Sequence, residues 1–460
     1  MDRSTCGPVA RSASRKLAGL ACALVALWAF AASVSGAQAA SAGSLDRSFG
    51  HSGRVLTDFF GGSDRGEAMA LQGKGRVVLV GEAPPSSRYG VSPRVALARY
   101  RPRGRLDRSF GHDGRAILRR CDPEKISKFS SGEDVAVQPN GKIVVAGICG
   151  DEFLVARFSR DGELDRSFGV AGKATIGTGP WSIALGLAIQ PDGKLVAAGY
   201  TWRGYVRIVR YRRNGSLDPS FDGDGKLVTA LGQESSLRAY DIAVEPDGRL
   251  VIAGSAGNNW MVARFLADGS PDSGFGEQGV QVHGPVSSGY ATSVAIQPDG
   301  KIVAAGTTSD AAVPEPAYSA FGLVRYLPDG NPDPAFGDDG AQRTTFIDRW
   351  PYNYGGGLAL QADGKIVMAG TASLTYYVGR HARLAVARYR PNGRLDQGFA
   401  GDGKDTTNLR PEEHHRMQAD LGRDVVIQPR GRIVAGGVSS PWSACCSDFA
   451  LAGYLGTREP

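Results

Sequence analysis

The chain has 460 residues, of which 42% are hydrophobic and 22% charged, a composition typical of a folded globular protein rather than a disordered one. Its formal net charge is +7, but the basic residues are scattered and form no stripe, which argues against nucleic-acid binding. The 64 glycines, together with recurring Gly-Asp and Pro-Asp turn signals, predict many short strands and no long helices.

The first 39 residues differ from the rest of the chain. A basic start containing Arg3 precedes an Ala/Leu/Val-rich run over residues 17–34, and Ala37 and Ala39 then form an A-x-A pattern. This order predicts a secretory signal peptide, residues 1–39, and a secreted or envelope-associated protein. An uncleaved membrane anchor is the alternative, because a run of this length could just span a bilayer. We prefer cleavage, since the run is alanine-rich and ends in small residues; the mature chain would then have charge +4 and no transmembrane segment.

The mature chain repeats itself. The motif LDRSFG occurs at Leu45, Leu106 and Leu164, and degenerate copies follow. Its seven copies span six steps and 350 residues, or about 58 residues per repeat. Two further segments, DVAVQPNGKIVVAG at Asp134 and FLVARF at Phe153, each recur in seven places. An active site is normally built once, so a motif written seven times indicates architecture.

Each repeat predicts four strands. DVAVQ is the first, KIVVAG the second, FLVARF the third, and a more polar strand follows the LDRSFG motif. The mature chain begins with the motif and a fourth strand and ends with strands one to three, so the two ends complete each other. We therefore predict an all-β, seven-bladed β-propeller over residues 40–460, with four antiparallel strands per blade and the last blade closed by the N-terminal strand near residues 54–59. An open solenoid would instead need polar caps, which the sequence lacks.

The motif itself predicts a one-turn helix between strands three and four. Its aspartates would cap the turn by accepting a backbone N–H, and a ring of cation-binding carboxylates is the alternative. These aspartates are Asp46, Asp107, Asp165, Asp218, Asp272, Asp333 and Asp396. The third strand carries a repeated arginine, which predicts a structural ion pair with a repeat aspartate. These arginines are Arg99, Arg157, Arg210, Arg264, Arg325 and Arg388, and Gly453 takes their place in the last repeat.

These segments resemble the delta-60 repeat family of exported bacterial proteins. The resemblance rests on the LDRSFG copies, on QPDGKLVAAG at Gln190 and QPDGKIVAAG at Gln297, and on LAVARYRPNGRLD at Leu384. It covers the chain from Leu45 to Leu455, with departures at Gly453 and in the sequence QPRGR. The resemblance implies a propeller-like fold and an exported location, and it implies no catalytic residues.

The connections after strands two and four vary in length and would share one face, where binding sites on rigid scaffolds are usually found. Most of the tryptophans and several tyrosines fall there, which predicts an aromatic surface able to stack on sugars or bind protein segments. The alternative is that these rings only fill gaps between loops. The candidate ligand-binding residues are Trp181, Trp202, Trp260, Trp350, Tyr352, Tyr354, Tyr376, Tyr377 and Trp442.

Four cysteines remain after cleavage: Cys121, Cys149, Cys445 and Cys446. They allow three pairings, among which the sequence does not choose. Cys121 and Cys149 flank the first two strands of one repeat, so a disulfide between them is the favoured staple.

Motifs for catalysis are sparse. The segment EEHHRMQAD over residues 412–420 matches no metal-ligand spacing, and no G-x-S-x-G, P-loop or H-E-x-x-H motif occurs. We therefore predict no cofactor and no metal, and a monomeric, non-catalytic binding or scaffold module whose partner is an extracellular glycan or protein. A polysaccharide hydrolase or lyase with its site on the same loop face is the alternative.

Overall fold

The computed structural model describes residues 41–85, 92–118, 129–177, 181–231, 236–282, 288–309, 318–347, 352–375, 381–411, 418–441 and 446–456. The predicted signal peptide lies outside these residues. The described residues form 28 β-strands and no α-helix, so the protein is all-β. No helix among these residues is long and apolar enough to cross a membrane.

Four sheets contain four strands each, and in every one each strand pairs antiparallel with the next along the chain. The first sheet contains β2 (Arg65–Gln72), β3 (Arg76–Ala83), β4 (Arg94–Tyr100) and β5 (Arg115–Ile117). The second contains β6 (Ser130–Val137), β7 (Ile143–Cys149), β8 (Glu152–Phe158) and β9 (Lys173–Ile176). The third contains β10 (Ser182–Ile189), β11 (Leu195–Thr201), β12 (Val206–Tyr211) and β13 (Lys226–Thr229). The fourth contains β14 (Leu237–Val244), β15 (Leu250–Ala256), β16 (Asn259–Phe265) and β17 (Val280–Val282).

The remaining twelve strands form one larger sheet made of three antiparallel groups. One group contains β18 (Ser288–Ile296), β19 (Ile302–Ser309), β20 (Ser319–Tyr326) and β21 (Ala341–Thr344). The next contains β22 (Tyr352–Leu360), β23 (Ile366–Ser373), β24 (Ala382–Tyr389) and β25 (Lys404–Thr407). The last contains β26 (Ala419–Ile427), β27 (Ile433–Ser440), β28 (Asp448–Tyr454) and β1 (Arg54–Thr57). Single parallel pairs, Ser319 with Tyr352 and Ala382 with Ala419, connect the three groups.

The N-terminal strand β1 pairs with β28 near the other end of the chain. The pairing is antiparallel and places Arg54 opposite Ala452 and Thr57 opposite Phe449. β1 therefore takes the position that a fourth strand occupies in the other groups.

The hydrophobic core lies between neighbouring groups of strands. One cluster packs Val80 of β3 against Val145 of β7, and another packs Leu79 against Leu451 of β28. The second strands are buried on both faces, and all seven residues of β7 are buried. This burial explains why the second strand reads as a continuous apolar run rather than an alternating one.

Every first strand contains an irregularity in register. In β6, Gly132 pairs with Gly147 and Asp134 with Ala146, which leaves Glu133 unpaired in a β-bulge. The glycine of the second strand permits this close approach, because a Cβ on Gly147 would lie 2.0 Å from the Ser131 carbonyl oxygen. The glycine at the end of the KIVVAG segment is therefore required by the bulge opposite it.

The LDRSFG motif forms a hydrogen-bonded turn, and the predicted one-turn helix is wrong. The Phe110 N–H donates to the Asp107 carbonyl at 2.9 Å, and the Gly114 N–H donates to the Phe110 carbonyl at 2.8 Å. The chain then returns directly into the fourth strand, so there is no room for consecutive helical hydrogen bonds. The Phe110 ring is fully buried and anchors the turn to the core.

Candidate functional site

A pocket of about 320 Å³ lies where the seven first strands come together. Each first strand contributes to its wall, mainly through the residue at its bulge. Because the bulge lies in the first half of the strand, the pocket is near the connections that enter these strands. The bulge residues are Glu67, Glu133, Leu185, Tyr240, Thr292, Arg423 and, in β22, both Gly356 and Gly357.

Three aspartates in the pocket wall connect neighbouring first strands. The Asp134 carboxyl accepts the N–H of Val135 at 2.7 Å and that of Leu187 in the next first strand at 2.6 Å. Asp241 likewise accepts the N–H of Ile242 at 2.7 Å and that of Val294 at 2.8 Å. These side chains replace backbone pairing that the bulges interrupt.

The third of these aspartates connects the last first strand to the first one. Asp424 accepts the N–H of Val425 at 2.7 Å and that of Met69 at 2.7 Å, although Met69 is 355 residues away in sequence. Burial raises the pKa of Asp424 to about 7 and that of Asp241 to about 6, because a charged carboxylate is poorly solvated there. Burial and the nearby Asp241 also raise the pKa of Asp134 well above its ordinary value.

Glu67, Glu133 and Arg423 supply the remaining charge of the pocket. The Arg423 Nε lies 3.3 Å from a Glu67 carboxylate oxygen, and the Arg65 Nε lies 3.5 Å from the other. Burial and the neighbouring Glu67 raise the pKa of Glu133 to about 7. At neutral pH Glu133 is therefore present in both its protonated and its ionised form, so its carboxyl group can donate or accept a proton.

Tyrosines and hydroxyl groups complete the lining. The Tyr240 and Tyr290 rings lie with their centroids 5.8 Å apart, and half-buried Tyr354 also faces the pocket. The Thr292 hydroxyl donates to the Gly356 carbonyl at 2.7 Å. The wall is thus a mixture of ring faces, hydroxyls and ionisable groups, which can bind a polar ligand through several hydrogen bonds.

Two of the predicted ligand-binding aromatics must be removed from that set. Trp260 has an exposed fraction of 1%, its Nε1 donates to the Thr307 carbonyl at 2.9 Å, and a Cβ on Gly322 would lie 2.8 Å from its ring. Tyr352 has an exposed fraction of 5% and packs against Tyr318. Both rings fill space between strands, which is the alternative that the sequence left open.

Three others are accessible to different degrees. Trp202 is 55% exposed, and the Arg203 guanidinium lies 5.4 Å from its ring centroid. Trp181 directly precedes β10 and packs against Tyr200 with ring centroids 5.6 Å apart. Tyr354 lines the pocket. Trp181 and Trp202 are thus neighbours, since the Trp202 N–H donates to the Trp181 carbonyl at 3.0 Å, whereas Tyr354 belongs to the pocket wall.

The other predicted residues lie outside the described part of the chain. They are Trp350, Tyr376, Tyr377, Trp442 and Cys121, with Cys445 and most of the EEHHRMQAD segment. Cys149 is disulfide-bonded, and its pairing with Cys121 stays a prediction. Cys446 is a free, exposed thiol.

The repeat arginines and aspartates form a second set of contacts, which we call the Arg–Asp latch. In one copy, the Arg325 Nε donates to Asp333 at 2.8 Å, its Nη1 donates to the Pro391 carbonyl at 2.6 Å, and its guanidinium lies 4.5 Å from the Phe336 ring centroid. Pro391 belongs to the next repeat. The arginine therefore connects the motif of its own repeat to the turn of its neighbour.

All seven motif aspartates are in comparable positions. Each accepts the backbone N–H two residues further on, as Asp46 does from Ser48 at 2.9 Å. Six pair with the arginine of their own third strand; the Nε–carboxylate pairs are Arg99–Asp107, Arg157–Asp165, Arg210–Asp218, Arg264–Asp272, Arg325–Asp333 and Arg388–Asp396.

The seventh aspartate obtains its cation from a different strand. Gly453 cannot pair with Asp46, and Arg432, which directly precedes β27, does so instead, with its Nη2 at 2.6 Å and its Nη1 donating to the Pro102 carbonyl at 2.8 Å. Lys142 and Lys194 are the equivalent residues of other repeats and also contact the motif aspartate there. The longer, forked side chain of Arg432 makes both contacts that a third-strand arginine would make.

A backbone hydrogen bond runs beside each latch. The last residue of each motif donates its N–H to a carbonyl in the turn of the following repeat, at 2.7–2.8 Å. In the last of these bonds the Ala400 N–H donates to the carbonyl of Ala42, which precedes β1. The seven bonds are Gly50 to Arg103, Gly111 to Asp161, Gly169 to Asn214, Asp222 to Asp268, Gly276 to Asp329, Gly337 to Asn392 and Ala400 to Ala42.

Among the pocket residues, sequence reasoning singled out Tyr354 alone. It singled out aromatic residues in variable connections, whereas the pocket is lined by strand residues at the bulges. A signal was present: the repeats are nearly identical after the bulge, yet the bulge position itself is Glu, Leu, Tyr, Thr, Gly or Arg. A position that varies among otherwise similar repeats is one that the fold does not constrain. The bulge residues could therefore be recognised as a variable surface.

Comparison with known proteins finds a family model that matches parts of five repeats. Five segments, residues 138–168, 190–221, 245–275, 297–336 and 361–399, match a family model described as a domain of unknown function (DUF5122) beta-propeller. These are β-propeller repeats. Each matched segment ends at the phenylalanine of the motif, so the β-propeller unit includes the second strand, the third strand and the latch aspartate.

Among solved structures, a catalytically inactive virginiamycin B lyase from Staphylococcus aureus with quinupristin is similar over 87% of this chain and 98% of that chain. The sequence identity is 8% and the TM-score is 0.45. No curated protein matches the chain.

Proposed function

We propose that this protein is an exported, monomeric, seven-bladed β-propeller that binds a glycan non-catalytically in the pocket between its first strands. Residues 1–39 serve as the signal peptide, and the mature protein is secreted or associated with the cell envelope. The resemblance to the delta-60 repeat family supports the exported location. The net charge of +4 without the signal peptide gives no basis for nucleic-acid binding.

Support for seven closed blades comes from contacts between the chain ends. β1 completes a four-strand group with β26, β27 and β28, Asp424 accepts the Met69 N–H, and Ala400 donates to Ala42. Closure of this kind removes unpaired sheet edges, which would otherwise promote aggregation.

The observation that carries the proposed binding function is the composition of the pocket wall. Glu67, Glu133 and Arg423 offer charged or ionisable groups beside the rings of Tyr240 and Tyr290. Sugars present hydroxyl groups to such donors and acceptors and apolar ring faces to aromatic side chains. The volume of about 320 Å³ suits one or two sugar units at the end of a chain better than a folded protein surface.

The variable connections extend this site. Trp181 lies at the entrance to β10 and Trp202 follows β11, so both lie beside the same end of a first strand. A glycan longer than the pocket would continue across this side. Trp202 is exposed enough to stack on it.

Titration of the mature protein with a panel of envelope and environmental oligosaccharides tests the proposal, with tryptophan fluorescence and calorimetry as readouts. We expect one glycan class to bind saturably, and Glu133→Gln and Tyr240→Phe to weaken its binding about tenfold or more, since each loses one or two buried polar contacts. Tyr205→Phe is the matched control, because Tyr205 is exposed and lies outside the pocket. Absence of binding across the panel would contradict glycan recognition and leave a protein partner or a scaffold role.

A hydrolase or lyase is a second candidate function, favoured by one observation. Burial and the neighbouring Glu67 raise the pKa of Glu133 to about 7, and both carboxyl groups line the pocket. A general acid that retains its proton near neutral pH and a second carboxylate are what glycoside cleavage requires. Incubating the bound glycan with enzyme and measuring reducing ends or unsaturated products tests this function. Turnover that is lost in Glu133→Gln would establish catalysis, and binding without turnover would exclude it for that glycan.

A further inference from the structure

Three carboxylates come together where the two ends of the chain meet. Asp58 directly follows β1, Asp64 directly precedes β2, and Asp448 begins β28. One possible ligand atom from each residue lies within 4.8 Å of the others. The pairing of Thr57 with Phe449 brings these segments together, so the cluster depends on the union of the N-terminal and C-terminal strands.

Asp64 contributes an oxygen that the protein leaves unsatisfied. The residue has an exposed fraction of 0%. Its Oδ2 accepts the Phe59 N–H at 2.7 Å, whereas its Oδ1 is buried without a hydrogen-bond partner among the described residues. A buried carboxylate oxygen in this state is costly unless a proton or a cation compensates it.

Asp420 shows how the same arrangement looks when the protein satisfies both oxygens. Its Oδ2 accepts the Leu409 N–H at 2.8 Å, and its Oδ1 accepts the Ser439 hydroxyl at 2.6 Å. Ser439 lies opposite Asp420 on the neighbouring strand. Arg65 pairs with Glu82 in an antiparallel register, so the residue that continues this register opposite Asp64 is Ala83. Alanine has no hydroxyl group, so Asp64 lacks the partner that Ser439 gives Asp420.

The surroundings leave the cluster with excess negative charge. Arg410 contacts Asp448, and the Arg115 Nε donates to the Asp58 backbone carbonyl at 3.1 Å rather than to its carboxylate. Each carboxylate that faces Asp64 adds to the cost of ionising it. A divalent cation would offset the charge of all three.

We propose that Asp58, Asp64 and Asp448 bind a calcium ion that joins β1 to β28. The three donors are all oxygens, whereas zinc in proteins is usually bound by nitrogen and sulfur, so zinc fits this site poorly. Calcium accepts an irregular set of carboxylates, carbonyls and waters, whereas magnesium demands a near-octahedral arrangement. The site uses only the observed strand pairing and does not depend on glycan binding.

Calorimetric titration of the chelator-treated mature protein with calcium chloride tests the site directly. We expect one ion to bind with a Kd of about 10⁻⁴–10⁻³ M, the range of extracellular calcium modules, and magnesium to bind more weakly. The Tm should rise with the logarithm of the calcium concentration above this Kd, because the unfolded chain has no assembled site.

Asp58→Asn and Asp64→Asn should abolish both the calorimetric binding and the rise in Tm. Asp58 is exposed, so its variant should fold even if the Asp64 variant does not. Asp420→Asn is the matched control: it removes a buried carboxylate with the same backbone contact, and calcium binding should persist. The proposal would be overturned if the wild-type protein bound no calcium, or if the variants at Asp58 and Asp64 bound it normally. Magnesium binding as tight as calcium binding would overturn the choice of ion. Glycan titration with and without calcium separates failure of this site from failure of the pocket.

Discussion

The latch and the pocket lie at opposite ends of the same first strands and differ in how strictly they repeat. The latch places an aspartate, a cation and a neighbouring carbonyl in the same relation around the repeats, and where Gly453 removes one arginine, Arg432 restores the contacts. At the pocket only Asp134, Asp241 and Asp424 repeat, and the bulge positions share no residue type throughout. The residues that are the same in each repeat therefore hold the repeats together, and the bulge residues, which differ, are free to form a binding surface.

The largest effect should come from breaking one buried latch. Arg325→Ala leaves Asp333 paired with Lys301 but removes the bond from Arg325, the bond to the Pro391 carbonyl and the contact with the Phe336 ring, so the free energy of unfolding should fall by about 3–5 kcal/mol. Urea denaturation measures this change. Arg108→Ala is the control, since the Arg108–Asp113 pair is 82% and 53% exposed and should matter by less than about 1 kcal/mol. Equal effects of the two variants would show that the latch contributes no more to stability than an exposed ion pair does.

Loss of the Asp424 carboxyl should have the next largest effect. Asp424→Ala leaves the N–H groups of Met69 and Val425 without an acceptor, and we expect a loss of about 2–4 kcal/mol in the free energy of unfolding. Urea denaturation of this variant beside Leu185→Ala, which removes a pocket side chain without a backbone bond, measures the difference. A smaller effect for Asp424→Ala than for the control would contradict its role in connecting the first strands.

The two regions should also respond to pH in opposite directions. The raised pKa values of Asp424 and Asp241 mean that their stabilising contribution is full below an ordinary pKa of 3.8 and is lost as pH rises through about 6 to 7. In the latch, burial opposes ionisation of Asp218, but hydrogen bonds from Lys194 and Ser220 and the charge of Arg210 lower its pKa to about 2. That contribution is present above pH 3.8 and is lost as pH falls towards 2.

Unfolding free energies measured from pH 3 to pH 8 check this expectation. Stability should be greatest at about pH 4–5 and should decline by a few kcal/mol towards pH 7. Asp424→Asn should flatten the decline on the neutral side and leave the acid side unchanged. A decline that is as steep in the variant as in the wild type would assign it to other groups.

The smallest effects distinguish Arg432 from its equivalents. Arg432→Ala removes the cation that pairs with Asp46, so we expect a loss of about 1–3 kcal/mol in the free energy of unfolding. Lys142→Ala leaves Asp165 paired with Arg157, and its loss should stay below about 1 kcal/mol. Thermal denaturation of both variants at equal concentration gives the order, and a reversed order would contradict the compensation for Gly453.

Much of the fold could be predicted because its determinants are local and repeated. The strands, the turns and the position of β1 follow from apolar runs, Pro-Asp-Gly signals and the incomplete repeats at the two ends. The motif was mistaken for a helix because Asp107 caps a turn in the same way as it caps a helix, and only the length of the following segment separates the two.

The pocket could not be predicted because it depends on register. A bulge moves Glu133 and Tyr240 out of the pairing pattern, and a sequence does not show which strand residue is displaced. The aromatic surface was overestimated for a similar reason. Trp260 is buried because Gly322 of the neighbouring group leaves space for its ring, a complementarity between distant positions that neither segment reveals alone.

The pairing of β1 with β28 sets an order of events during synthesis. β1 leaves the ribosome long before β28, because Arg54 and its partner Ala452 are 398 residues apart in sequence, so β1 must wait for most of the described chain before it can pair. Each intervening group of strands can form from neighbouring segments, whereas this one step closes a loop of about 400 residues. The group of strands that contains β1 is therefore completed only after β28 has been made, and a chain truncated before β28 would leave β1 without this partner.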